Sequence, residues 1–548
     1  MRSVPRTTDM AGSTGAALTA DRTSPGALRQ LLARLESSAP ALLVLTIVLW
    51  VAVIFAASAY KYETFGQGYD QVDFEQAIWN TTQGRIMEDS RFNFTGSIFG
   101  MDWMPMLFFF VPFYALIPSA HTLFFLQIVG IAVGAVPVYW LARDRLGSKL
   151  AALGLAMVYL LYPTLLHTAL NPFQVRVFAV TLLLFGFYFY EKRNWHLFMS
   201  CALLAMLART DVALVVAMFG VYGLLTRRRW PYVIPPLVVG LGYFVLSISL
   251  IVPSFAYPGV LSGGTGAVGD DYMACWPCGT NPLVAYYGHL GRSGPEIVGY
   301  ILTHPLQVAG IMLEKAKVEY MLSLLVPLAL LPLLSPRPLV LGLPVLALNL
   351  LSLRTAQYDY KSHYSLLLVL GLVTASVYGL DNLVKWVARL RARLHPDQGV
   401  GDRPVAWVQW AALGLAAWAL VMTIPFKNPV ARVVLFHEPP ARVQAAKELI
   451  SMIPPEARVA ASSKLAPRLL PRRYIYNFPP APYSPYNFGP RRAPGYVELD
   501  YVLVDPEASA LTERQNLLDG KSAFDWLREL PEWELVAARE GIYLYRHR

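Results

Sequence analysis

Charge is scarce in this chain. Only 15% of its 548 residues are Asp, Glu, Lys or Arg, while 55% are apolar. That balance, with repeated long apolar runs, excludes a soluble enzyme built on one large core and points to an integral membrane protein. Cysteine is nearly absent as well. Of three cysteines, Cys201 lies inside an apolar run and reads as a small packing residue, and Cys275 and Cys278 form Cys-Trp-Pro-Cys in a polar loop. Two thiols at that spacing make half a zinc site, with nothing nearby to complete it. A local disulfide in an extracytoplasmic loop is the first reading and redox chemistry the second. Residues 1–38 are rich in Ser, Thr, Ala and Arg and lack the apolar stretch of a secretion signal, so they read as a disordered cytoplasmic tail. The following run, Ala39 to Ala59, is long enough to span and has no small-residue cleavage signal beyond it; it reads as a retained helix. No glycine-rich phosphate loop follows a strand in the C-terminal region, which removes nucleotide chemistry there.

The formal net charge is +10, but the cations sit in short loops between apolar spans. Arg143, Arg145 and Lys149 form one group, Lys192 and Arg193 a second, and Arg227, Arg228 and Arg229 a third. Lys385, Arg389, Arg391, Arg393 and Arg403 form a fourth. This is the positive-inside pattern, and it explains the charge without a nucleic-acid partner. Further apolar segments lie near 103–118, 120–142, 150–167, 174–190, 195–210, 211–225, 231–252, 318–334, 338–353, 363–384 and 405–425. Keeping all four basic groups inside requires one net crossing between Phe99 and Arg143, with the 103–118 arm re-entrant or interfacial and about eleven crossings in all.

The expected architecture is mostly α. A disordered cytoplasmic tail (1–38) precedes a polytopic transmembrane helical domain (39–425) with outer loops 60–102 and 253–317, and a small extracytoplasmic α/β domain (426–548) follows. In that last domain, Arg458–Ala461, Tyr474–Phe478, Asp500–Asp505, Trp533–Ala538 and Tyr543–Arg546 read as strands, with helices at Ala441–Met452 and Ala523–Leu530. The segment from Pro295 to Tyr320 reads as an interfacial helix. The location is the cell membrane, multi-pass, with a cytoplasmic N-terminus.

The chemistry-bearing residues fall on the outer face. Gly68-Tyr69-Asp70-Gln71-Val72-Asp73-Phe74-Glu75 holds three carboxylates within six positions, just after the first span. Carboxylates at that depth are costly unless solvated or used, so the stretch is a functional-site candidate. The same face collects Asp102, His167, Asn171, Gln174, Arg176, Asp211, the glycine-rich loop 258–294 and Tyr358-Asp359-Tyr360-Lys361-Ser362-His363-Tyr364.

Several of these stretches carry a resemblance. Tyr69-Asp70 through Glu75-Gln76-Ala77-Ile78-Trp79, Asp102-Trp103-Met104-Pro105, Val111-Pro112-Phe113-Tyr114, Asn171-Pro172-Phe173-Gln174, Arg209-Thr210-Asp211 and Ser362-His363-Tyr364 recur in order. So do Ile453-Pro454-Pro455, Val459-Ala460-Ala461-Ser462 and Arg473-Tyr474-Ile475-Tyr476. The chain resembles a bacterial family of multi-spanning membrane proteins of unknown function, itself similar to the GT-C glycosyltransferases, which use lipid-phosphate sugars. Two histidines of that family stand here as Asp102 and Gln174, so roles attached to those histidines do not carry over.

The resemblance implies a GT-C-like fold and a glycosyltransferase. It would move a sugar from a polyprenyl-phosphate donor to an envelope glycan, lipid or protein acceptor at the outer leaflet, among membrane lipids. Asp70, matching the GT-C catalytic aspartate, is then the general base, against the plain reading of a solvated loop acid. Asp73, three before Gln76, fits a helix N-cap in a capping box. That places Glu75 in the first turn, where it suits the helix dipole and is a second candidate acid. Asp211 beside Arg209 is either a satisfied ion pair or a metal- or acceptor-orienting group. Asp102 with Asp70 forms a candidate pair for a divalent cation. Arg176, Lys361 and His363 suit a lipid phosphate, with Gln174 and Tyr364 beside them; interfacial anchoring is the bland reading of Lys361 and His363. His167, alone in an apolar run, reads as structural. The rival function is a non-catalytic scaffold or transporter for envelope assembly. Ionisable residues concentrated at one face rather than mid-membrane weigh against transport.

Overall fold

The computed structural model describes residues 25–90, 96–255, 286–394, 405–435, 437–478, 498–507 and 523–548. Cys275, Cys278 and most of the glycine-rich loop 258–294 lie outside the described residues. Helix α1 (Pro25–Glu63) has 39 residues. At 1.5 Å per residue it is about 58 Å long, nearly twice the ~30 Å hydrocarbon layer, so both its ends reach polar surroundings. Val44, Leu45, Val48, Leu49 and Val53 stand exposed along it, an apolar face suited to lipid rather than water.

The two ends of α1 identify the two ends of the molecule. Near one, Glu36 accepts hydrogen bonds from Ser148 Oγ (2.7 Å), the Leu150 N–H (3.0 Å) and Gln409 Nε2 (2.8 Å). At the other, Glu63 pairs with Arg468 (2.7 Å) and the Tyr62 hydroxyl donates to Pro467 O (3.2 Å). The C-terminal region therefore docks on the end opposite Ser148 and Lys149.

Between them the chain folds into helices α2 (Asp70–Thr82), α3 (Leu107–Leu116), α4 (Ala120–Val133), α5 (Ala135–Leu146), α6 (Lys149–Leu160), α7 (Pro163–Leu170), α8 (Arg176–Glu191), α9 (Trp195–Met206), α10 (Val212–Leu225) and α11 (Ile234–Leu246). Their boundaries follow local chemistry. Gly147 ends α5 at φ 71°, its N–H bonding Arg143 O, and Ser148 then caps α6 by accepting the Ala151 N–H (3.2 Å). Pro163 opens α7, which bends 51° from α6. Helices α10 and α11 pack so closely that a Cβ on Gly240 would lie 2.5 Å from Ala213 O. Cys201, in α9, is free and half-buried, with its Cβ 3.5 Å from where a Gly186 Cβ would stand, a packing contact as expected.

Among the described residues four helices are long and apolar enough to cross a bilayer: Gln30–Glu63, Ala120–Leu146, Trp230–Ser254 and Leu368–Leu394, with the bent pair α6–α7 as a fifth. About eleven crossings were expected, several of them on apolar runs shorter than a perpendicular span needs, and prolines shorten some of the helices. Run 318–334, for example, leaves its helix at Leu325, turns at Val326-Pro327, and places Ala329 and Leu330 at left-handed φ of 50° and 58°. The ten-residue α3 is about 15 Å long and too short to cross alone. The expected single helix over Pro295–Tyr320 is also corrected. It is three helices, Gly294–Thr303, Pro305–Met312 and Lys315–Leu325, because Pro305 cannot continue the first and Glu314 breaks the second from the third.

The C-terminal region is a five-stranded sheet in the order β2-β1-β3-β5-β4. The strands are β1 (Val459–Ser462), β2 (Ile475–Phe478), β3 (Tyr501–Val504), β4 (Trp533–Arg539) and β5 (Ile542–His547). Strand β1 pairs in parallel with β2 and β3, and β5 pairs antiparallel with β3 and β4. Helices Pro440–Ser451 and Ala523–Glu529 stand where helices were expected. The chain is thus a mostly α-helical, polytopic fold with a small C-terminal α/β unit. One feature joins the two: Phe65, Tyr69 and Val72, from the α1–α2 connection and the start of α2, bury in the same core as Leu449, Val459, Leu503 and Ile542.

Candidate active site

Asp70 opens α2, and the surroundings of that helix start are fixed from two sides. From the C-terminal unit, Ser463 Oγ accepts the Tyr69 N–H (3.2 Å), Ile475 O accepts the Tyr69 hydroxyl (2.9 Å), and Arg473 O accepts Gln76 Nε2 (2.6 Å). From the helical part, Gln71 Oε1 accepts the Phe173 N–H (2.8 Å), while Gln71 Nε2 donates to Glu75 (3.0 Å). Asp70 itself is half-buried at this junction.

Asp73 does not cap the helix. Helix α2 begins at Asp70, after Tyr69, so both Asp70 and Asp73 fall in the first turn, and Asp73 is buried. Gln76, its expected capping partner, is engaged by Ser90 and the Arg473 carbonyl instead. Glu75 lies past that first turn, nearly inaccessible, accepting from Gln71 and from the Tyr114 hydroxyl (2.9 Å). Burial pushes its carboxyl up to about 7, against those two donors and the Arg468 charge.

The second feature is a ladder of alternating charges. Asp102 accepts from Arg209 Nε (2.5 Å) and from the Thr210 N–H (3.2 Å). Arg209 also lies 3.9 Å from Asp211, and Asp211 holds Arg176 (2.5 Å). Arg176, almost wholly buried, donates its other terminal nitrogen to His363 O (3.1 Å). Its Nε and the Asp211 Oδ1 are buried without a hydrogen-bond partner among the described residues. The Tyr364 ring sits among three guanidinium groups: Arg176 at 5.4 Å, Arg209 at 5.9 Å and Arg354 at 5.4 Å from its centroid. Arg354 also donates to the Tyr364 hydroxyl (2.7 Å) and the Tyr286 hydroxyl (2.9 Å).

These neighbours revise two expectations. His363, read from sequence as a cation, is held well below the usual histidine range by burial and by Arg176, Arg209 and Arg354; its imidazole is neutral at pH 7. Asp102, read as half of a cation pair with Asp70, has its carboxylate committed to Arg209 and Thr210. Among the described residues no group of three or more His, Cys, Asp or Glu is arranged to hold a metal ion. Gln174 is buried and its N–H donates to Gln127 Oε1 (2.5 Å). His167 Nε2 lies 3.0 Å from Phe426 O.

The third feature is a cavity of about 620 Å³ between the α1–α2 connection, α7 and the start of the C-terminal region. Lys61, Lys361, Arg432 and Lys464 line it, with His167 and Glu438. Lys361 Nζ lies 3.4 Å from Asp359 and 5.3 Å from the Tyr360 ring centroid, and Lys464 pairs with Glu438 (2.7 Å). Asn171 ties the α7 end to this wall by donating to Lys361 O (3.0 Å).

The family model described as Predicted membrane protein (DUF2079) matches residues 61–544. The chain belongs to the DUF2079 family of predicted membrane proteins. No curated protein matches it. Among solved structures, ArnT from Cupriavidus metallidurans bound to undecaprenyl phosphate is similar, at a TM-score of 0.52 and 13% identity. That match covers 91% of this chain and 97% of ArnT. The archaeal oligosaccharyltransferase AglB from Archaeoglobus fulgidus, in complex with an inhibitory peptide and a dolichol-phosphate, matches at 0.44 and 12% identity. It covers 91% of this chain and 74% of AglB. The ArnT likeness supports the GT-C type of fold for this DUF2079 member.

The fold therefore assembles Asp102, Asp211, Arg176, His363 and Tyr364 into one cluster, with Lys361 facing the neighbouring cavity and Asp70 and Glu75 on α2. Sequence reading missed Arg354, Lys61, Arg432 and Lys464. Two of these had a visible signal: Lys61 ends the first apolar run and Arg354 ends run 338–353, each a cation at the same end as Lys361. Arg432 and Lys464 had none, because only docking of the C-terminal unit brings them to the cavity.

Proposed function

We propose that this protein is a GT-C-type membrane glycosyltransferase that moves a sugar from a polyprenyl-phosphate donor to an acceptor hydroxyl at the outer leaflet. The observation that carries the reading is the 620 Å³ cationic cavity, walled by Lys61, Lys361, Arg432 and Lys464. It opens beside the connection that leads from α1 to Asp70. ArnT, of similar fold, binds undecaprenyl phosphate, and a lipid phosphate is the ligand such a cavity would take here. Asp70 would take the proton of the acceptor hydroxyl as its oxygen attacks the anomeric carbon with inversion. The bond from that carbon to the phosphate oxygen breaks, and the lipid phosphate leaves as an anion toward the cavity cations. Lys361 and Arg176 would supply positive charge, and neutral His363 a hydrogen bond only.

The test is transfer of labelled sugar from polyprenyl-phosphate donors to membrane acceptors, comparing wild type with Asp70→Asn. General-base loss predicts a drop of at least about a hundredfold with unchanged melting. Equal transfer by both proteins would remove Asp70 from the role and move attention to Asp211 and Glu75. Failure of the wild type with every donor would favour the scaffold.

A further inference from the structure

A second cavity lies at the opposite end of the molecule, where the basic loops gather. The ends of α5, α8 and α10, the turn at 334–338 and helix Leu368–Leu394 enclose about 830 Å³. Six cations line it, Arg145, Arg193, Arg227, Arg228, Arg337 and Lys385, against two carboxylates, Glu191 and Asp381. Both carboxylates are already engaged. Glu191 is shared by Arg228 (2.9 Å) and Arg145 (3.2 Å) and accepts the Tyr222 hydroxyl (3.2 Å), and Asp381 holds Lys385 (2.5 Å). Arg193, Arg227 and Arg337 make no ion pair among the described residues.

The positive-inside rule asks only that cations be on this face, not that they converge on a concavity. Attraction to helix C-terminal carbonyls accounts for Arg193 and Arg227 but not for Arg337, which opens a short helical turn. Arg193 and Arg227 also hold left-handed φ of 58° and 52°, positions that glycine would fill without strain. Leu334 lines the cavity and is exposed, as are Leu224, Leu225, Leu333 and Trp386, each within two positions of a lining residue in the chain. A ligand that suits both features has a multiply charged oxyanion head and lies next to apolar chains.

We propose that this cavity binds a phosphate group, either the headgroup of an anionic membrane lipid or a soluble polyphosphate, at the end remote from Asp70. Basic clefts between membrane helices recognise phospholipid headgroups through such charge-assisted contacts. The exposed apolar side chains next to lining residues favour the lipid. This site is independent of the transferase reading.

The test uses the full-length protein in a non-ionic detergent, with melting temperature followed during titration. The probes are dioctanoyl phosphatidylglycerol, dioctanoyl phosphatidylcholine and pyrophosphate. Phosphatidylglycerol should raise the melting temperature and phosphatidylcholine should not. The half-saturating concentration should rise at least about tenfold in R227Q/R337Q, as expected when charge-assisted contacts are lost. The control R389Q/R393Q, on exposed cations of the same face that do not line the cavity, should respond as wild type. R337Q alone carries the same comparison should the double variant not fold. A response to phosphatidylglycerol only identifies a lipid site, and an equal response to pyrophosphate identifies a soluble-phosphate site. No response to either, or equal weakening in the cavity and control variants, overturns the proposal.

Discussion

Glu75 is a buried acid whose ionisation works against the fold. Its carboxyl moves from 4.5 to about 7 on burial, which corresponds to roughly 3 kcal/mol of preference for the protonated form. The folded protein binds this proton more tightly than the unfolded chain. Stability from this group is therefore full below about 4.5 and is lost as pH rises toward 7. Glu75→Gln removes the titration, so the fall in melting temperature between pH 5 and pH 8 should flatten in the variant. The same slope in both proteins would show that Glu75 is not the titrating group. The three acids of this stretch illustrate what was legible residue by residue. An acid just past a span was visible at Asp70. The burial of Glu75 was not, because it depends on Tyr114, which stands 39 positions away in the chain. The capping role expected of Asp73 failed for a related reason: Tyr69 is drawn into the C-terminal core and the helix starts four residues early.

At the scale of elements, α2 is the part both halves of the molecule hold. Gln76 is the centre of that grip: its Oε1 accepts the Ser90 N–H (3.0 Å) and its Nε2 donates to Arg473 O (2.6 Å), both well inside the interface. Gln76→Leu leaves those backbone groups without their partner, at about 1–3 kcal/mol each. The variant should melt several degrees lower and release the C-terminal unit to protease sooner than wild type. Gln83→Leu, on the exposed end of the same helix, should do neither. Equal protease resistance of Gln76→Leu and wild type would mean that α2 is not what fastens the two parts. The strands of that unit were readable because short β-branched and aromatic runs such as Tyr501-Val502-Leu503-Val504 are bounded by polar and proline-containing stretches. The spans were less so. An apolar run records that a segment avoids water, but Pro327 and Pro305 decide where helices stop, and hydropathy does not register them.

At the scale of the whole molecule, charge is sorted along its length. Loops 143–149, 192–193 and 227–229 are far apart in sequence yet share ion pairs at one end: Lys192 with Asp144 (2.6 Å), and Arg145 and Arg228 with Glu191. The C-terminal sheet docks at the other end, against Glu63. Moving many Lys and Arg side chains across a bilayer is unfavourable, so the basic end should stay cytoplasmic and the sheet should face outward, with the candidate site beside it. Labelling with a membrane-impermeant thiol reagent reads this directly. In a background with Cys201, Cys275 and Cys278 replaced by Ser, Glu534→Cys in β4 should react in intact cells. Arg389→Cys, on the exposed basic end of helix Leu368–Leu394, should react only after permeabilisation. The reverse pattern would turn the molecule over, placing the candidate site at the inner leaflet. Reaction of both under one condition would mean that the two ends are not on opposite sides of a membrane.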